Sequence, residues 1–202
     1  MINVIGIGPG EGDFLLPASL HALLASDVVV GSCRQLELVP KEFVGEKMIL
    51  PKKFQELKDY LQTHTGLMVS LLASGDPMLY GIGNWVSRSF PSDQVQIFSG
   101  ISSIQYLFSQ AQISMNDCYL TSSHGKQPDL DLLASLPKVA MVTDDKLGPY
   151  ELAQEMLKRG KNKQMIIGEN LSYPTEIISF TQANQVLQKE YGMNVVVMLD
   201  ER

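Results

Sequence analysis

The segment LLASGDPMLYGIG, Leu71–Gly83, decides the fold. It continues an apolar run that begins at Leu67 and lasts to Ala73 almost without interruption. A strand with one face in water alternates apolar and polar residues, whereas a strand covered on both faces does not, so Leu67–Ala73 reads as an inner strand of a parallel sheet with helices on either side. The run stops at Ser74-Gly75-Asp76-Pro77. In an open parallel sheet ligands bind beyond the carboxyl ends of the strands, which makes this loop the first place to look for a site. A turn with proline at its second position accounts for Gly75-Asp76-Pro77 alone. It leaves Leu79, Tyr80, Gly81 and Gly83 unexplained. A rigid loop whose backbone and Asp76 meet a polar ligand, with Tyr80 alongside, accounts for them too.

Working outward, short β-branched runs alternate with segments of helical period, the pattern of an α/β fold. Asn3–Ile7 reads as a strand that runs into GIGPGEG. A helix follows from about Pro17 to Ser26, with proline suited to its first turn and Leu20, Leu23 and Leu24 on one face. Val28–Val30 reads as a strand, and Phe54, Leu57 and Leu61 mark a helix. Ile82, Trp85, Val86 and Phe90 form the inner face of the next helix, before strand Val95–Phe98 and a helix through Ile104, Leu107 and Phe108. AQISMND, Ala111–Asp117, reads as a seam between lobes at 1–112 and 113–202. Beyond it, Cys118–Thr121, Val139–Thr143, Met165–Ile167, Glu176–Phe180 and Asn194–Leu199 read as strands. Leu130–Leu136, Tyr150–Arg159 (closed by Gly160) and Gln182–Tyr191 read as helices.

Bulk properties narrow the function. A chain of 202 residues with 45% apolar and 19% charged residues can bury a full core in one large domain or two lobes. A formal charge of −6 argues against a nucleic-acid binder, which shows a basic face. It leaves room for a small anionic ligand held by a local cluster of cations and N–H groups. Cys33 and Cys118 lack any CxxC spacing, and His21, His64 and His124 are far apart, so neither a disulfide framework nor a metal site is expected. The N-terminus has no leader pattern, and no apolar run approaches the ~20 residues that span a bilayer. The chain reads as cytoplasmic, without membrane contact.

The remaining candidates sit at strand ends. Gly6-Ile7-Gly8-Pro9-Gly10 is close to a dinucleotide fingerprint, but Glu11 stands where GxGxxG needs glycine and Pro9 removes a backbone donor. No ribose-binding acid appears at Val30-Gly31-Ser32 either. The loop reads as a tight strand-to-helix turn or as one kept clear of side chains for a bulky ligand. Ser99-Gly100-Ile101-Ser102-Ser103-Ile104 opens a helix, where free N–H groups and two hydroxyls favour a carboxylate. Thr121-Ser122-Ser123-His124-Gly125-Lys126 follows a strand; His124 is either a plain loop histidine or a substrate contact, since imidazole exchanges protons near neutrality. Lys126, Arg34 and Arg88 are candidate anchors for anionic groups, and Thr143-Asp144 and Gly168-Glu169-Asn170-Leu171 end two more strands.

Taken together and in this order, GIGPG, the GDP loop and SGISS resemble the tetrapyrrole methylase family, and LTSSHGK, KVAMVTD, IGENLSYP and NVVVMLDER extend the resemblance over essentially the whole chain. The YGIG continuation and the SSHG loop resemble the branch acting on C5 of a cobalt-containing precorrin. The resemblance implies two α/β lobes, the first largely parallel and the second with a mixed sheet, with S-adenosylmethionine in the cleft between them. It also implies a homodimer and an anionic corrinoid substrate. Cofactor contacts are then expected at Pro9, Gly75, Asp76, Pro77, Met78, Leu79, Ser102, Ser103, Ile104, Thr143, Asp144, Glu169, Asn170 and Leu171. Gly8, Gly10, Arg34, Tyr80 and Lys126 would face the substrate, and His124 would assist proton loss. The chain ends at Arg202 without a decarboxylating methyltransferase domain, so a separate enzyme is expected to act at C15. The alternatives are another precorrin C-methyltransferase, a methylase of a macromolecule, and a non-catalytic ligand carrier.

Overall fold

A computed structural model describes residues 1–125 and 127–200. The chain divides into two compact units at Ser102/Ser103. This falls ahead of the AQISMND seam because the helix after SGISS packs on strands of the second unit.

The first unit holds a five-stranded sheet of β1 (Ile2–Gly6), β2 (Val28–Gly31), β3 (Glu46–Ile49), β4 (Val69–Ala73) and β5 (Val95–Phe98). All pairings are parallel, in the order β3-β2-β4-β1-β5. Its helices are α1 (Pro17–Leu24), α2 (Cys33–Glu37), α3 (Phe54–Thr63) and α4 (Gly83–Ser89). The nearly continuous apolar character of β4, interrupted by the buried Ser70, has a direct cause. Leu71 packs with Val4, Val30, Leu57, Leu61 and Val86 on one face, while Leu72 packs with Ile5, Val29 and Leu23 on the other. Leu57 and Leu71 are fully enclosed, and complete burial of a side chain of this size contributes about 1.5–3 kcal/mol.

The second unit contains α5 (Ser103–Gln110), β6 (Tyr119–Ser122), α6 (Leu130–Ser135), β7 (Lys138–Val142), α7 (Pro149–Lys158), β8 (Gln164–Glu169), β9 (Ile177–Gln182) and β10 (Asn194–Leu199). The sheet order is β6-β7-β10-β8-β9, with β6 and β7 parallel and the other pairs antiparallel. The α6 and α7 side carries the main cluster, with Val139, Met141, Leu152, Met156, Ile167 and Val196. Lys163, 2% exposed, sits beneath this sheet edge with its ammonium on the Leu136 carbonyl and the Asp200 carboxylate.

The expected helix over Gln182–Tyr191 does not form; the segment has one 3-10 turn, Ala183–Gln185, and an extended path beyond it. The topology explains why. β9 and β10 both run antiparallel to β8, on opposite sides of it, so the connection must return along a strand of about 17 Å and cross two ~4.8 Å spacings. Its 11 residues (183–193) would cover only ~16 Å as a helix. Ala183 and Val186 are buried on the way, while Leu187 is left exposed. Two elements escaped the sequence reading, α2 and the exposed edge strand β3.

Candidate functional site

Each parallel strand of the first unit ends at the same sheet edge, so the order β4-β1-β5 brings three loops side by side. Their glycines interlock. Gly75 N–H donates to Gly8 O at 2.7 Å, and Gly8 and Gly75 pair as an isolated antiparallel bridge. A Cβ on Gly6 would lie 2.6 Å from Gly100 N and 2.8 Å from Gly75 O, and one on Gly100 would collide with Gly75 O. Gly6, Gly75 and Gly100 are therefore spaced for backbone against backbone. Gly81 and Gly83 have a similar origin: a Cβ on either would fall 2.6 or 2.7 Å from the Pro77 carbonyl, which accepts the Gly83 N–H at 3.0 Å. The turn thus explains the second glycine pair after all, because the chain folds back over Pro77.

Asp76 joins two of these loops. Its Oδ1 accepts the Met78 N–H at 2.8 Å, and its Oδ2 accepts the Gly100 N–H at 3.1 Å. Beyond it, Tyr80 is 45% exposed and has φ of 58°. A bulky residue in the left-handed region carries strain that persists only where its surroundings fix it, and such strain gathers at functional sites. Met78 stands exposed beside it, Leu79 is half-buried, and Pro9 is half-buried after the Gly8 bridge. Gly10 is buried. Ser32 and Gln35 form a capping box that starts α2, and this sets Arg34 Nη2 3.3 Å and Gln35 Nε2 3.1 Å from Ser74 Oγ. Arg34 is thereby brought to the GDP loop. Arg88 is not, because α4 runs back from that loop and Arg88 lies in its last turn.

In the second unit the ends of β6, β7 and β8 meet the start of β10 at one edge, through the registers Ser122–Val142, Val142–Val195 and Glu169–Asn194. Thr143 Oγ1 donates to the Asn194 carbonyls of side chain and backbone. Asp144 Oδ1 accepts N–H groups of Leu147 at 2.9 Å and Lys146 at 3.1 Å. The Leu147 N–H, helped by that of Lys146, the nearby Ser123 hydroxyl and the charge of His124, holds the Asp144 carboxyl below its ordinary value. Ser123 Oγ is buried and, although close enough to favour the Asp144 anion, lacks the geometry of a hydrogen bond to any partner among the described residues. His124 is exposed, with its N–H on Ser122 Oγ at 3.0 Å. Lys126 lies outside the described residues.

Glu169 is 5% exposed, with Oε1 2.8 Å from Lys189 Nζ and Oε2 accepting the Gly192 N–H at 3.1 Å. Asn170 and Ser172 follow with φ of 47° and 66°. Leu171 is turned into the unit, where it and Leu107 occupy the space a Gly168 side chain would need. Ser102 and Ile104 are buried and Ser103 half-buried at the start of α5. The sequence reading missed Gln35, Lys189, Gly192 and Asn194, and gave Ser74, within the GDP loop, no role of its own. Only Gln35 had a local signal, the S-x-x-Q spacing of a capping box. No helix among the described residues is long and apolar enough to cross a membrane.

A parallel sheet with its loops gathered at one edge, followed by a mixed α/β unit with its own loop edge, defines a two-unit α/β fold of the methylase type. Residues 1–186 match the profile of the tetrapyrrole (corrin/porphyrin) methylases, and the chain belongs to that family. It is 42% identical, over 100% of both chains, to the cobalt-precorrin-7 C(5)-methyltransferase of Salmonella typhimurium. In structure it is similar to a cobalamin-biosynthesis precorrin-6Y methylase from Archaeoglobus fulgidus, with a TM-score of 0.79, 23% identity, and coverage of 100% of this chain and 99% of that one. It is also similar to the uroporphyrin-III C-methyl transferase from Thermus thermophilus complexed with S-adenyl homocysteine, with a TM-score of 0.75, 21% identity, and coverage of 98% and 96%.

Proposed function

We propose that this chain transfers a methyl group from S-adenosylmethionine to C5 of cobalt-precorrin-7, giving cobalt-precorrin-8 in cobalamin biosynthesis. The observation that carries the proposal is the full-length 42% identity to the Salmonella enzyme of that activity.

The candidate residues fit the cofactor. The loops offer backbone groups, the hydroxyls of Ser102, Ser103, Ser123 and Thr143, and carboxylates, and of the described candidate cations Arg34 reaches the GDP loop whereas Arg88 does not. Such a lining suits a purine and a sulfonium without a like charge pressed against it. A buried hydroxyl without a partner costs about 1–3 kcal/mol, and Ser123 Oγ is such a group, which supports a polar ligand there. When bound, the cofactor supplies a methyl group already activated by the sulfonium. The chain then has to hold and orient: placing two reactants in line contributes ~7–11 kcal/mol, and no nucleophilic side chain is needed.

Pro9, Gly75, Asp76, Pro77, Met78 and Leu79 in the first unit, and Thr143, Asp144, Asn170 and Leu171 in the second, are the proposed cofactor elements, while Glu169 holds the Asn170 turn from behind through Lys189 and Gly192. Their positions at the carboxyl ends of strands support this. Gly8, Gly10, Arg34 and Tyr80 are proposed to face the corrinoid, with Arg34 pairing a peripheral carboxylate. His124, exposed beside the ionised Asp144, is proposed to take up the ring proton. The family resemblance also supports a cytoplasmic homodimer whose product goes to a separate C15-methylating, decarboxylating enzyme.

The test is purified protein with S-adenosylmethionine and cobalt-precorrin-7, with mass spectrometry reading a single methyl addition and NMR its position. Methylation of uroporphyrinogen III in place of the corrinoid would overturn the assignment.

A further inference from the structure

We infer that Lys189 is a positioning residue for the Gly168–Ser172 turn, acting through the buried carboxylate of Glu169. The inference rests on the proposal that this turn holds the cofactor.

Glu169 is the last residue of β8 and one of the least exposed carboxylates in the described chain, at 5%. Both its oxygens are engaged by the extended crossover between β9 and β10. Lys189 Nζ lies 2.8 Å from Oε1, and the Gly192 N–H reaches Oε2 at 3.1 Å. The glutamate side chain therefore points to the crossover and is committed there, although the sequence alone suggested a ligand contact. The same crossover fixes the next residue. Asn170 N–H donates to Met193 O at 2.8 Å, and the Asn170 amide covers Gly192 so closely that a Cβ there would lie 2.7 Å from its oxygen.

These contacts surround two residues with unfavourable backbone angles, Asn170 at 47° and Ser172 at 66°. Non-glycine residues keep such angles only where neighbours over-determine them. The Lys189–Glu169 pair is the charged part of that restraint. Lys189 has its own guide, since its ammonium lies 4.5 Å from the centre of the Tyr191 ring. Among the described residues Lys189 and Tyr191 face Glu169, and Tyr191 in turn faces Glu151 of α7.

Loss of the ammonium would leave Glu169 as a buried anion with one backbone donor. An unpaired buried charge is relieved by protonation or by movement. Lys189→Met therefore displaces the turn and lowers affinity for the cofactor product. Lys189→Arg keeps the charge. Lys189→Met combined with Glu169→Gln removes both charges and leaves an acceptor for Gly192.

The experiment is calorimetric titration of the full chain with S-adenosylhomocysteine, beside a melting curve for each variant. The expected result is an affinity loss of about tenfold or more for Lys189→Met. Lys189→Arg and the double variant should stay within about threefold of wild type, as expected for removal of the unpaired charge. A merely structural lysine would lower the melting temperature of Lys189→Met and leave its affinity for the cofactor product unchanged. An unchanged affinity for Lys189→Met, or a loss that the double variant does not rescue, overturns the inference. Wild-type protein that binds no S-adenosylhomocysteine overturns instead the methyltransferase reading beneath it.

Discussion

Replacement of Asp76 by alanine tests the first unit's loop cluster most directly. The carboxylate accepts one N–H within its own loop, from Met78 at 2.8 Å, and one from the neighbouring loop, from Gly100 at 3.1 Å. The first bond is exposed and exchanges readily with water. The second is partly buried, and its loss leaves the Gly100 N–H without a partner. A hydrogen bond to a charged group contributes about 1.5–3 kcal/mol and an orphaned donor costs about 1–3 kcal/mol. With the exposed bond discounted, the expected loss is about 2–3 kcal/mol. At ~2–4 °C per kcal/mol for a chain of this length, the melting temperature should fall by ~5–10 °C. Since the same bond fixes the GDP loop against SGISS, affinity for S-adenosylhomocysteine should fall about 10- to 100-fold, equivalent to ~1.4–2.7 kcal/mol. Asp76→Asn should fall between, because the amide keeps one acceptor but turns its NH₂ toward the second donor. Differential scanning calorimetry and titration calorimetry read both quantities. An alanine variant whose melting temperature lies within ~1 °C of wild type, with unchanged affinity, would refute the argument that this carboxylate joins the loops.

Other perturbations follow from the same geometry. Gly83→Ala places a methyl group against the Pro77 carbonyl, whereas Gly12 has nothing within 4 Å. Urea unfolding should show Gly83→Ala losing about 1–3 kcal/mol and Gly12→Ala little; equal effects would sink the packing explanation. Asp144 is depressed in the folded state, so it adds stability above its ordinary value of 3.8 and loses that contribution as pH falls through the lower folded value. Asp144→Asn should accordingly flatten the acid limb of the stability profile, and an unchanged limb would count against the turn's role. His124→Ala should lower kcat with S-adenosylhomocysteine affinity retained; unchanged turnover and substrate affinity would remove it from proton transfer.

What could be read from the sequence was what neighbouring residues determine. The nearly continuous run ending at Ala73 announced a two-sided strand, and Leu71 and Leu72 do fall in separate clusters. Helix α7, with Leu152, Ala153 and Met156 inward, was equally plain. What was misread depended on distant partners. Gln182–Tyr191 has helix-compatible composition, yet the distance from β9 to β10 requires an extended path. β3 has no apolar stripe because it is an exposed edge. The glycines stood out, but their purpose did not: Gly6 and Gly100 are 94 positions apart and touch only once β1 lies beside β5. Lys189 and Glu169, 20 residues apart, likewise give no local signal.

The strand order of the first unit has a consequence for synthesis. β1 is made first, yet its two neighbours are β4 and β5, the fourth and fifth strands to emerge. During translation the opening strand therefore keeps both edges unpaired until β4 is made, and one edge unpaired until residue Phe98 has left the ribosome. Contacts this remote in sequence form slowly because a long loop must close first, and an unpaired apolar strand is open to misassociation in the interval. The knot of Gly6, Gly75 and Gly100 is thus the last part of this unit to close, because Gly100 follows the fifth strand.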